Sequence, residues 1–152
     1  MRGVLIGALG GVVVLGITAA VVVPEAREWY DGRHEQTSSY ATGKAAKADR
    51  DSVPSWLPDD AASVEYAMRT TGGERILKAT LNGDRLPGSC EQLRGKKAPD
   101  PEISASWFPS DRAGEARGRC GSYYVSLEGH TLYAWQTNGD WMEENRRSSS
   151  AE

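Results

Sequence analysis

The sequence predicts an α+β protein: an N-terminal transmembrane helix followed by a small, mainly antiparallel β domain with one or two short helices. Three observations carry that expectation. Residues 4–23 are an unbroken uncharged apolar run. Beyond residue 54 several short segments alternate apolar and polar side chains with the period of two that marks a half-buried strand. Finally, the chain has two cysteines, both in that second part, a cysteine usage that suits a small exported domain with a covalent staple.

The apolar run VLIGALGGVVVLGITAAVVV is followed at once by Pro24 and a charged stretch. At about 1.5 Å per residue it spans roughly 30 Å, the thickness of a hydrocarbon layer. A signal peptide cleaved after Ala20 competes with an uncleaved anchor. The apolar residues continue to Val23, beyond the ~7–15 residues of a signal core, which favours the anchor. Gly3, Gly7 and Gly11 fall on one helical stripe, a candidate face for close helix–helix packing. Charge hardly orients the span: Arg2 lies on one side, Arg27 and Arg33 on the other.

The chain accordingly divides into a short cytoplasmic end (1–3), the membrane helix (4–23), a tether (24–53), a domain (54–142) and a disordered tail (143–152). The tether is read from its polar, small-residue composition and the lack of a sustained apolar period. The tail EENRRSSSAE is read the same way. Within the domain, SVEYAMRT places Val64, Tyr66 and Met68 in phase, and RILKATL does so with Leu77, Ala79 and Leu81, so TTGGE between them predicts a hairpin. ISASWF, with Ile103, Ala105 and Trp107 in phase, predicts another strand, and DRAGEARG a short helix. SYYVSLEGHTLYAWQT predicts a second hairpin turning at Gly129-His130. After that turn either Leu132 and Ala134, or Tyr133 and Trp135, form the inward set.

Cys90, in LPGSC, is too far from the apolar run to be a lipid-attachment cysteine. Two cysteines with His34 and His130, without paired-ligand spacing, do not make a zinc site, and no metal or cofactor is expected. A nucleophilic cysteine has no His/Asn pairing to support it, and a disulfide from Cys90 to Cys120 is the remaining reading. It would close a loop of about 31 residues, worth up to ~3.7 kcal/mol of chain entropy. It also supplies the orientation: the domain lies outside the cytoplasm, in an oxidising space.

Charge excludes one class of partner. Between Pro54 and Met142 there are ten Lys/Arg against twelve Asp/Glu, a balance without the basic field that nucleic-acid binding needs. Candidate binding residues are few. Asp59 and Asp60, in WLPDDA beside Trp56, invite a catalytic reading, but Pro-Asp-Asp-Ala is a common entry to a turn. Arg94, Lys96 and Lys97 form a basic patch in a glycine-containing loop, a candidate contact for anionic headgroups or wall polymers. Arg112, Arg117 and Arg119 lie near Cys120. The rings Trp56, Trp107, Tyr123, Tyr133 and Trp135 are expected mainly in the core, because the domain has a single Phe and few branched aliphatics. No phosphate-binding loop, dinucleotide fingerprint or hydrolase motif occurs.

The run VPSWLPDDAASVEYAMRTTGGERILKATL, with LPGSC, SWFP, CGSYYVSLEG and TLYAW, is similar to a group of small actinobacterial membrane proteins of unknown function. The resemblance covers residues 53–135. It implies one N-terminal helix, a tether and an extracytoplasmic domain with a cysteine pair, and it carries no catalytic residue. The expectation is therefore a single-pass cell-envelope protein whose outer domain is a non-catalytic binding or scaffold module. Its partner would be the membrane together with an envelope protein, or a second copy through the membrane helix. The competing expectation is an extracytoplasmic enzyme or accessory subunit acting on wall or lipid substrates.

Overall fold

Seven strands, all antiparallel, form one sheet in the computed structural model of the chain, which describes residues 34–151. The expected membrane helix, its Gly3, Gly7 and Gly11 stripe and the first part of the tether lie outside those residues. Among the described residues no helix is long and apolar enough to cross a membrane.

The strands are β1 (Glu35–Thr42), β2 (Ala62–Arg69), β3 (Arg75–Thr80), β4 (Glu91–Gln92), β5 (Gly118–Cys120), β6 (Tyr123–Glu128) and β7 (Thr131–Gln136). Their order across the sheet is β1-β2-β3-β7-β6-β5-β4. Two meanders thus meet where β3 pairs with β7. The register shows why alternation in the sequence was informative. Tyr66, Leu77, Ala134 and Val125 stand opposite one another in successive strands, so one row of apolar side chains crosses four strands on one face. The next row, Ala67, Ile76, Trp135 and Tyr124, crosses the other face.

Both faces are covered, and this resolves the ambiguity after Gly129-His130: Leu132 and Ala134 point to one core, Tyr133 and Trp135 to the other. The first core is closed by Ala46, Val53, Leu57 and Ala61. The second is closed by Ala98, Ile103, Phe108 and Ala113. Trp135 is fully buried there, with its indole N–H donating to the Pro99 carbonyl at 2.9 Å. Phe108 packs edge-on against Tyr133 and Trp135, so these rings are core, as their scarcity of aliphatic neighbours required.

Three expectations are corrected. The compact unit starts at Glu35, so the second half of the expected tether is structured: β1 is an edge strand and helix α1 (Gly43–Asp49) follows it. Their polarity hid them, because β1 is held by backbone pairing while its Gln36 and Ser38 side chains accept hydrogen bonds from Arg50. Helix α1 is capped by Thr42, whose Oγ1 accepts from the Ala45 N–H at 3.1 Å. A Cβ on Gly43 would collide with the Pro58 carbonyl oxygen, so glycine lets the helix start close against that loop.

ISASWF is not a strand. Ile103 and Phe108 are buried, but only an isolated bridge between Ala105 and Phe108 forms, and the segment crosses the second core as a loop between prolines that cannot donate to a ladder. The short helix expected in DRAGEARG is present as one 3₁₀ turn, Arg112–Glu115.

The expected disordered tail is largely helix α2, Asn138–Ser150. Thr137 caps it, accepting from the Asp140 N–H at 3.1 Å, and Glu143 pairs with both Arg146 and Arg147 along its surface. None of its residues is buried, which is why no apolar period announced it.

Candidate functional site

The disulfide between Cys90 and Cys120 is present. It ties the two-residue strand β4 to β5 at the edge of the sheet, where Glu91 stands opposite Arg119 and Arg119 opposite Tyr124. These three side chains continue the row that carries Trp135 and form the floor of a groove.

Arg119 is held in place from three sides. Its Nη2 donates to Asp140 Oδ1 at 2.8 Å, its Nε donates to the Gly121 carbonyl at 3.1 Å, and its guanidinium lies 5.0 Å from the Tyr124 ring centroid. The Tyr124 hydroxyl also reaches Asp140 Oδ1, at 3.4 Å. Burial first, and the Asp140 charge second, raise the Tyr124 phenol above its ordinary range, with Arg119 opposing them.

The wall of the groove is the segment after β4. Its Leu93 N–H donates to the Arg117 carbonyl at 3.0 Å, and the Arg94 N–H to the Gln92 carbonyl at 3.1 Å. That anchoring leaves the Arg94, Lys96 and Lys97 side chains to line a cavity of about 620 Å³ above Arg119 and Tyr124. A second cavity of about 280 Å³ shares Glu91 and Arg119 with the first and extends to Glu144 and Arg147 of α2.

The remaining candidates lie elsewhere. Trp56 packs edge-on against Tyr123 at 5.6 Å, on the opposite face of the sheet from Tyr124. Asp59 faces solvent, its side chain 69 % exposed, and pairs with Lys47 at 2.7 Å. The Lys47 hydrogen bond, then its charge, hold the Asp59 carboxyl below its usual range. Asp60 accepts from Asn82 Nδ2 at 2.6 Å. The structure therefore brings Arg94, Lys96 and Lys97 together and leaves Trp56, Asp59 and Asp60 apart from them.

Arg112 also has a structural task, stacking 4.4 Å from the Tyr133 ring centroid and pairing with Glu128 at 3.1 Å. Among the described residues no group of three or more His, Cys, Asp or Glu is placed to hold a metal.

Sequence reasoning missed Glu91, Tyr124 and Asp140 and gave Arg119 no special weight. The signal was faint: Tyr124 is out of phase with Tyr123 and Val125, so it marks a second occupied face of β6. What the arrangement offers chemically is a fixed guanidinium beside three exposed cations, a surface suited to anionic groups. No family model, curated protein or solved structure matches the chain.

Proposed function

We propose that this chain is a membrane-anchored cell-envelope protein whose extracytoplasmic domain is a non-catalytic binding or scaffold module, with residues 4–23 as the anchor. The observation that supports the reading best is the separation of charges. The acids that invited a catalytic role, Asp59 and Asp60, sit at a solvated turn, each with its own partner. The cations Arg94, Lys96 and Lys97 instead gather over one groove. An acid–base pair built from two carboxyl groups needs them to face a common cleft in different environments, and that is not how Asp59 and Asp60 are arranged. The staple between Cys90 and Cys120 supports placement of the domain in an oxidising space.

Crosslinking in the native membrane, followed by identification of what is joined to the domain, tests this. The expected product is an envelope component or a second copy of the chain. Recovery of the chain in the soluble cytoplasmic fraction, with nothing crosslinked, would contradict the proposal.

A further inference from the structure

We infer that the groove at the β4 edge binds a linear polymer of phosphodiesters separated by hydroxyl-bearing units. The inference rests on the reading of the domain as a binding module and specifies the ligand of that module.

The first observation is adjacency. The two cavities, about 620 Å³ and about 280 Å³, share Glu91 and Arg119 in their linings, so they lie side by side at the β4 edge. Neighbouring cavities with a common wall suit a ligand of repeating units that occupies both. A planar anionic surface cannot enter them, since Arg119 lies on the floor, in the row of the sheet, rather than on a rim.

The second observation is the order of charge. One cavity carries Arg94, Lys96 and Lys97, whose side chains make no hydrogen bond or ion pair among the described residues. Arg119 lines both cavities and Arg147 the other. Carboxylates share the linings with these cations: Glu91 in both cavities and Glu144 in the one that holds Arg147. An unbroken polyanion would be repelled by the two acids. A polymer in which phosphates alternate with hydroxyls satisfies both sets, its phosphates on the cations and its hydroxyls donating to the carboxylates.

The third observation is preorganisation. Asp140 and the Gly121 carbonyl engage two N–H groups of Arg119, which fixes the guanidinium without using its Nη1. Those remaining donors are available to a phosphate oxygen in a geometry that needs little further ordering.

The test uses the full chain in nanodiscs of uncharged lipid and measures binding of poly(glycerol phosphate) of defined length. Polyphosphate of equal charge and phosphatidylglycerol vesicles serve as comparison probes. The expected result is that poly(glycerol phosphate) binds more tightly than either, with affinity falling as salt rises. The R94A/K96A/K97A variant should weaken it by about tenfold or more. These three side chains are exposed, so the fold should survive their removal, and R147A on the exposed surface of α2 should weaken binding independently.

Glu91→Gln should narrow the preference over polyphosphate by relieving repulsion. The inference is overturned if poly(glycerol phosphate) does not bind, if the triple variant binds it undiminished, or if polyphosphate or vesicles bind equally well. Such a failure alongside a crosslinked envelope partner would remove the polymer and leave the module. Absence of both would remove the module as well.

Discussion

Arg119 and Asp140 join the edge of the sheet to the C-terminal helix through a contact of 2.8 Å. The pair sits where two demands meet. Asp140 belongs to the first turn of α2, where its backbone N–H is capped by Thr137 and a carboxylate complements the helix dipole. Arg119 belongs to β5, next to the disulfide, and forms the floor of the groove. The aspartate therefore positions both the guanidinium and, through the Tyr124 hydroxyl, the neighbouring ring.

Asp140→Asn should release this arrangement. The Tyr124 phenol is raised by burial and by the Asp140 charge, so the variant should lower its pKa, read by ultraviolet difference titration against the parent. Stability should fall by about 1 kcal/mol, the scale of a partly exposed ion pair. An unchanged Tyr124 titration would show that the carboxylate does not act on the ring.

Tyr123 predicts an alkaline limit. Burial, with Tyr66 nearby, pushes its phenol well above the ordinary value of 10.0. A raised folded-state pKa means that its contribution to stability is complete below the unfolded value and is lost as pH rises from there through the folded value. Thermal midpoints should therefore drop above about pH 10. Tyr123→Phe should make that drop shallower while changing little near neutrality. Identical slopes for parent and variant would refute the assignment.

Gly73 holds α2 against the β2–β3 turn. A Cβ at that position would collide with the Trp141 indole, and its backbone N–H donates to Asn138 Oδ1 at 2.9 Å. Gly73→Ala should cost about 1–3 kcal/mol through overpacking and raise amide exchange across α2. Unaltered exchange in Asn138–Ser150 would count against that docking.

Removing the staple should loosen the groove more than the central sheet. The bond joins residues separated by 30 positions, and its loss in a C90A/C120A variant should lower stability by up to ~3.7 kcal/mol. β4 has only two residues paired to β5, so amides of 86–97 should lose protection first, while β3 and β7 keep theirs. Uniform loss across the sheet would show that the edge is not a separate unit.

The elements of this fold are unequally legible in the sequence. The β2–β3 and β6–β7 hairpins were readable because Val64, Tyr66, Leu77, Tyr123 and Val125 alternate with other residues toward a common core. β1 was not, because an edge strand held by backbone bonds needs no apolar stripe and Arg50 spans its polar face. Ile103, Ala105 and Trp107 alternated for another reason, as part of a loop that buries Ile103 while leaving Trp107 half-exposed. For the site, Arg94, Lys96 and Lys97 were visible as a charge cluster because they are close in sequence. Their meeting with Arg119 and Tyr124 depends on strand register, and with Asp140 on a helix whose composition reads as solvated tail.

The proposed placement of this domain outside the cytoplasm rests on the bond between Cys90 and Cys120. Non-reducing mass spectrometry of the full chain, taken from its native membrane with free thiols alkylated at lysis, tests it most directly. The account predicts one linked peptide pair carrying both cysteines and no alkylated thiol. Two alkylated cysteines would contradict it and remove the main support for the topology.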